Sequence, residues 1–259
     1  IIECELIYQD GRYELDYADL EEKCSNPQST LLILCNPHNP IGKIWSKEEL
    51  AKIGELANKY GVIVISDEIH CDIVDLDKEY VPFASVNEVN ENISVTCIAS
   101  SKTFNVAGLQ SACIVVPNKF LHHKVWRGLN TDEVAEPNFF SMDANIAAFT
   151  KGEEWVNEMN EYIYNNKMVV RKFIKENLPH VHLVESEATY LLWMDISYYS
   201  LDSVSLTKYI REKTGLYLSD GEEYGKNGAS FIRMNIATSL QNVNDGLSRL
   251  KVALDSYKK

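Results

Sequence analysis

The sequence predicts an α/β protein in which a larger lobe with a mainly parallel sheet precedes a smaller α+β lobe. Three observations predict it. Two continuous apolar runs, Thr30–Cys35 and Val62–Ser66, flank an amphipathic helical stretch, which makes a βαβ unit with parallel strands and a right-handed crossover. The long stretch Glu153–Asn177 reads as one helix that connects two lobes. Beyond residue 180 the strands and helices become shorter, as in an α+β unit. The lobes are accordingly placed at residues 1–152 and 153–259, the second opening with the connector helix.

The elements follow in chain order. Residues 1–8 alternate loosely and end at Gln9-Asp10-Gly11, a turn signal. Asp16 to Cys24 is a short helix, stopped by Asn26-Pro27. Thr30–Cys35 is a strand expected to be covered on both faces, because its apolar run is unbroken. Asn36-Pro37-His38-Asn39-Pro40-Ile41-Gly42 is a rigid turn, since its two prolines fix φ and remove donors. Ser46-Lys47-Glu48-Glu49 is a capping box. The helix it opens aligns Leu50, Ile53, Leu56 and Ala57, and Gly61 supplies a left-handed stop. Val62–Ser66, Ile93–Ile98 and Ala112–Val116 are the next strands; Lys119–Leu129 and Phe139–Thr150 are helices. His122 and His123 are expected on the helix surface and Trp126 in the core. After Leu178-Pro179 come strands Val181–Val184, Tyr190–Asp195, Leu216–Ser219 and Phe231–Ala237, with helices Ser205–Lys213 and Asn242–Tyr257 among them.

Composition narrows the function classes. Among 259 residues, 45% are hydrophobic and 24% charged, which is the profile of an ordinary globular protein. A net charge of −13 repels duplexes and anionic membranes, so neither nucleic acid nor a membrane surface is an expected partner. The longest apolar runs are far too short to span a bilayer. Six cysteines without regular spacing fit free thiols in a reducing cytoplasm better than a disulfide framework. The opening Ile1-Ile2-Glu3-Cys4 reads as the middle of a longer sequence, so an N-terminally truncated chain is expected.

Chemistry concentrates at strand ends. Strand Ile93–Ile98 runs into Ala99-Ser100-Ser101-Lys102, which sets a lysine at the rim of the sheet with hydroxyls beside it. Such an amine can form a Schiff base, whereas most lysines after strands are solvated loop residues. Asp67 follows the apolar run Val62–Ser66, at the carboxyl end where open α/β sheets bind ligands. It reads either as a turn residue or as the partner of a cation such as a protonated pyridine nitrogen. Asn39 lies in the proline-locked turn, where a fixed amide can donate to a phenolate oxygen or simply serve the turn. His70, three residues after Asp67, can face the same ligand or sit in a core; a metal site from His70, Cys71 and Asp72 lacks convergence. Arg233 sits inside the apolar strand, sharing a face with Phe231 and Asn235. An arginine there needs an anion, either a bound carboxylate or a neighbouring strand's acid.

Together these stretches resemble the fold-type I pyridoxal-phosphate enzymes, namely the class I/II aminotransferase superfamily. Within it they are similar to the PatB/MalY-type cystathionine β-lyase branch. The matching stretches are Asn36–Gly42, Ser66–Asp72, Ser101–Leu109 and Phe231–Ala237, in the family's order. The resemblance implies pyridoxal 5'-phosphate as cofactor, with Lys102 as the lysine that bonds it and then shuttles protons. It implies Asp67 on the pyridine nitrogen, Asn39 and His70 on the 3-oxygen, Ser101 on the phosphate and Arg233 on the substrate α-carboxylate. Many aminotransferases carry serine where Ala99 stands and arginine where Gln110 stands. The family's Gly-containing loop and the aromatic ring that stacks on the cofactor come from upstream of Ile1.

The implied activity is β-elimination on cystathionine- or cysteine-type substrates, giving a thiol, pyruvate and ammonia. An amino-acid aminotransferase uses the same constellation, and a non-catalytic regulatory relative could keep the fold. A cytoplasmic homodimer with the site at its interface is implied as well, and with it poor activity for residues 1–259 alone.

Overall fold

The computed structural model describes residues 1–257. The chain opens with an antiparallel hairpin, β1 (Leu6–Gln9) and β2 (Arg12–Leu15). Its turn residues Asp10 and Gly11 both have positive φ, the backbone that matches the twist of flanking strands. Helix α1 (Tyr17–Ser25) starts at Asp16, whose carboxylate accepts the Ala18 and Asp19 N–H groups. Strand β3 (Leu31–Cys35) leads through the proline turn to α2 (Lys47–Lys59), where the Ser46/Glu49 capping box forms as the sequence requires. Gly61 ends that helix at φ 70°, and β4 (Ile63–Asp67) follows. A short helix not evident from the sequence, α3 (Glu88–Ile93), precedes β5 (Ser94–Ile98) and β6 (Cys113–Val115). Helices α4 (Lys119–Thr131), α5 (Phe139–Lys151) and α6 (Glu153–Asn177) come next.

The first sheet runs β3-β4-β5-β6, with β3, β4 and β5 parallel and β6 antiparallel. The sheet is therefore mainly parallel, as expected. Its core joins Leu34 and Val64 to Leu50, Ile53 and Leu56 of α2 and Leu20 of α1. Three expectations fail, one of them the strand Leu216–Ser219, of which only Ser219 is in a strand. Strand β3 is covered on one face only: Leu31 and Ile33 are 59% and 72% exposed, because β3 is the outer strand and its alternate residues point away from α2. Trp126 is not core but 56% exposed, and it stacks against His123 on a helix that buries none of its residues.

The second sheet is antiparallel throughout. Its strands β7 (His182–Leu183), β8 (Leu191–Asp195), β9 (Ser219–Asp220) and β10 (Phe231–Asn235) lie in the order β7-β8-β10-β9. Helices α7 (Ser203–Thr214) and α8 (Leu240–Ser256) join α6 on one face, enclosing Leu192, Met194, Ile232 and Met234. The other face holds Trp193 and Phe231, stacked at 5.1 Å, against Ile41 and the hairpin tyrosines Tyr8 and Tyr13. Strand β10 thus alternates between two cores, which leaves Arg233 on the Phe231 side.

The two sheets are tied through the proline turn. The Gly42 carbonyl accepts the N–H groups of Glu187 and Ala188 at 2.8 and 3.0 Å. A Cβ at Gly42 would meet Ser186 Cβ at 2.6 Å, so only glycine permits this approach. Among the described residues no helix is long and apolar enough to cross a membrane.

Candidate active site

The strand register assembles the first part of the site. Cys35, Asp67 and Cys97 are direct neighbours across β3, β4 and β5, so one carboxylate stands between two thiols at the carboxyl rim. Asp67 Oδ1 accepts the Ile69 N–H at 3.2 Å. Burial, and then the Asp67 charge, push the Cys35 thiol up to about 11 and raise Cys97, so both flanking thiols are neutral. Among the described residues Asp67 has no salt bridge. Its neighbour Glu68 is 2% exposed and already engaged, accepting from Ser66 Oγ at 2.8 Å, the Phe83 N–H at 2.9 Å and the Tyr80 hydroxyl. Of the two adjacent carboxylates, Asp67 is the one left for a ligand.

His70 is 5% exposed, its ring edge-on to Tyr190 at 5.7 Å, and its buried Nδ1 has no partner. Burial first, then the charges of Lys102 and Arg233, hold its pKa down at about 4. That imidazole is neutral at ordinary pH, and it lies within electrostatic reach of both cations. Arg233 Nη1 donates to Asn39 Oδ1 at 3.1 Å, Nη2 donates to Ser219 Oγ at 3.3 Å, and the guanidinium sits 4.7 Å from the Tyr224 ring. No acid on a neighbouring strand pairs with it among the described residues. Its charge is therefore available to an external carboxylate, and Asn39 keeps its amide nitrogen as a donor.

Lys102 is half-buried in the loop after β5. The Phe104 and Val106 N–H groups close this loop onto the Ser100 and Ser101 carbonyls. Ser100 Oγ donates to Asn145 Oδ1 at 2.5 Å, and Asn145 Nδ2 donates to Ser111 Oγ at 3.1 Å, so α5 clasps the loop from behind. At the α5–α6 junction a Cβ on Gly152 would fall 2.4 Å from the Phe104 ring, so the junction packs directly against the loop.

A cavity of about 520 Å³ opens over Lys102, with Ser101 on its rim and Trp155, Glu158, Tyr190 and Asn235 across it. A second cavity of about 570 Å³ reaches Ser101 from the side of Ala99 and Gln110. Ser101 and Lys102 thus share one wall. The charges of Lys102 and Arg233 both bear on His70, and Asn39 is bonded to Arg233. Asp67 touches none of the other five by a side-chain bond; it reaches them through the pairing of β4 with β5. Sequence reasoning missed Tyr190, Asn145, Trp155 and Thr103, and weighed Asp72 only as a metal ligand. Each acts through a contact between distant segments, and only the SKT run around Lys102 offered a signal for Thr103.

A family model for aminotransferase class I and II matches residues 3–250. The chain is 42% identical to cystathionine beta-lyase PatB of Bacillus subtilis (strain 168) over 249 residues, covering 96% of this chain and 64% of PatB. It is 28% identical to protein MalY of Escherichia coli (strain K12), covering 94% of this chain and 62% of MalY. Among solved structures, cystalysin from Treponema denticola, which contains a pyridoxal 5'-phosphate cofactor, superposes with a TM-score of 0.95. That match has 29% identity and covers 99% of this chain and 65% of cystalysin. The pyridoxal-phosphate-bound C-S lyase from Staphylococcus hominis superposes at 0.88 with 37% identity, covering 96% of this chain and 63% of the lyase. The chain spans less than two thirds of the length of each of these relatives. Its similarity within the family is to the PatB/MalY branch, as the motifs indicated. By sequence over nearly its whole length and by a fold-type I architecture, the chain belongs to the class I and II aminotransferase family.

Proposed function

We propose that this chain carries the catalytic core of a pyridoxal-phosphate-dependent carbon–sulfur β-lyase. It would act on cystathionine- or cysteine-type amino acids and release a thiol, pyruvate and ammonia. What supports the reading most is the hydrogen bond from Arg233 to Asn39, which joins two of the motif residues, in a chain 42% identical to a cystathionine beta-lyase.

The donor set fits the cofactor. Asp67 has no cation of its own, so a protonated ring nitrogen suits it. The orphaned His70 Nδ1 and the free Asn39 amide suit the ring oxygen, and Ser101, lining the cavity beside Lys102, offers a hydroxyl donor for the phosphate. When bound, the group supplies an electron sink for a carbanion at the substrate Cα. In this reading Lys102 Nζ would hold the cofactor through its aldehyde carbon and would be the base for the substrate Cα proton. Asp67 holds the proton on the ring nitrogen. Arg233 grips the α-carboxylate with its fork, oriented by Asn39 and Ser219. His70 contributes a hydrogen bond without charge.

The same proposal assigns residues 1–152 to a cofactor lobe and 153–259 to the connector helix and small lobe. It also assigns a cytoplasmic homodimer. The six free cysteines support the compartment, and the exposed Phe139, Phe140 and Ile146 of α5 support a further contact surface.

The test supplies pyridoxal phosphate and cystathionine and follows pyruvate and free thiol together. Equal amounts of both are expected. Amino transfer that requires an added keto acid and yields no pyruvate would instead assign the chain to the aminotransferases.

A further inference from the structure

We propose that Thr103 and Asp72 are positioning residues that fix the Lys102 amine against the Asp67 segment. The proposal rests on the functional reading above. A lysine side chain has four rotatable methylenes, so its amine can act at one carbon only if its backbone is held. A displacement of about 1 Å can cost on the order of a hundredfold in rate.

Thr103 is 1% exposed, and its hydroxyl donates to Asp72 Oδ2 at 2.9 Å. Its carbonyl accepts the Trp155 indole N–H at 2.9 Å, while the Asp72 carbonyl accepts Asn160 Nδ2 at 2.8 Å. Trp155 and Asn160 both belong to α6. The bonds therefore form a closed ring, from α6 to the residue beside Lys102, to the end of the Asp67–Asp72 segment, and back to α6. Among the described residues, Thr103–Asp72 is the only side-chain hydrogen bond between segments 67–72 and 99–106. Asp72 takes no cation; its other oxygen lies 3.8 Å from the Cys71 thiol, so the carboxylate serves as an acceptor. The lysine loop does not need this bond to close, because Ser100 and Ser101 already accept from Phe104 and Val106. What the bond adds is the setting of one catalytic segment relative to the other.

The test compares the wild-type chain with Thr103→Val, Asp72→Ala and Thr103→Ser, free of cofactor, under brief acetic anhydride treatment. Mass spectrometry then gives the acetylation of Lys102 relative to the other lysines. Thr103→Val and Asp72→Ala should raise Lys102 labelling roughly threefold to tenfold, the factor by which losing one hydrogen bond shifts a local opening. Thr103→Ser, which keeps the donor, should label as the wild type does. In the loaded enzyme Thr103→Val should lower kcat and leave KM for the amino-acid substrate unchanged. Unchanged labelling in both disruptive variants, or labelling in Thr103→Ser as high as in Thr103→Val, overturns the proposal. If Thr103→Val does not fold, Asp72→Ala and Thr103→Ser decide it. Absence of any lyase activity in the wild type would overturn the functional reading and leave the labelling result to judge the positioning.

Discussion

At the scale of single residues, the decisive feature is which charges are left unpaired. Among the described residues Asp67 and Arg233 have no ionic partner, Glu68 is surrounded by donors, and His70 is neutral. The neutrality of His70 has a measurable consequence. Burial keeps the folded-state pKa near 4, whereas an unfolded histidine takes its proton near 6.5. Between those values the unfolded state binds the extra proton, so this contribution is whole above pH 6.5 and lost as pH falls toward 4. A shift of this size contributes about 3 kcal/mol by linkage. Denaturant titrations at pH 7.5 and 4.5 should therefore show His70→Phe losing about 2.5 kcal/mol less stability than wild type over that interval. Equal losses would show that His70 is not held neutral. Lys102, Asp67 and Arg233 were legible in the sequence because each interrupts or follows an apolar strand, where a charge needs a reason. The tie between Asp72 and Thr103 was not, since nothing in the sequence joins two residues 31 positions apart until the chain between them is folded away. Trp126 was misread for the converse reason: an aromatic at helical spacing implies a core only where something packs on it.

At the scale of elements, α6 joins the two sheets. It gives Ile163, Val170 and Ile174 to the second core, Trp155 to the lysine loop and Asn160 to the Asp67–Asp72 segment. It also buries Lys167 completely against Asp75, with Nζ and Oδ1 2.5 Å apart. A buried pair repays its desolvation only while both members are present. Lys167→Met should therefore destabilise by about 3–5 kcal/mol, because Asp75 is left buried and uncompensated. Adding Asp75→Leu should recover most of the loss. Urea denaturation of the two variants checks this, and equal instability of the single and double variants would contradict it. The bounds of α6 and the capping box of α2 were readable from the sequence, since local chemistry sets them. The antiparallel direction of β6 was not, because strand pairing depends on the path of the chain between strands.

At the scale of the whole molecule, a mainly parallel sheet and an antiparallel sheet meet around the proline turn and α6. Where they meet, Arg233 of the second sheet donates to Asn39 of the proline turn. The order of elements was legible because apolar runs, breakers and caps repeat along the chain. The exposed face of β3 was not, because a continuous apolar run does not report whether a neighbour is present. Everything in the functional account depends on Lys102 being the residue that bonds the cofactor. The most direct measurement adds pyridoxal phosphate, reduces with borohydride, and maps the attached mass by peptide sequencing. The account predicts one modified lysine, Lys102, together with loss of the near-visible absorbance band. Modification spread over surface lysines, or confined to any other lysine, would contradict it.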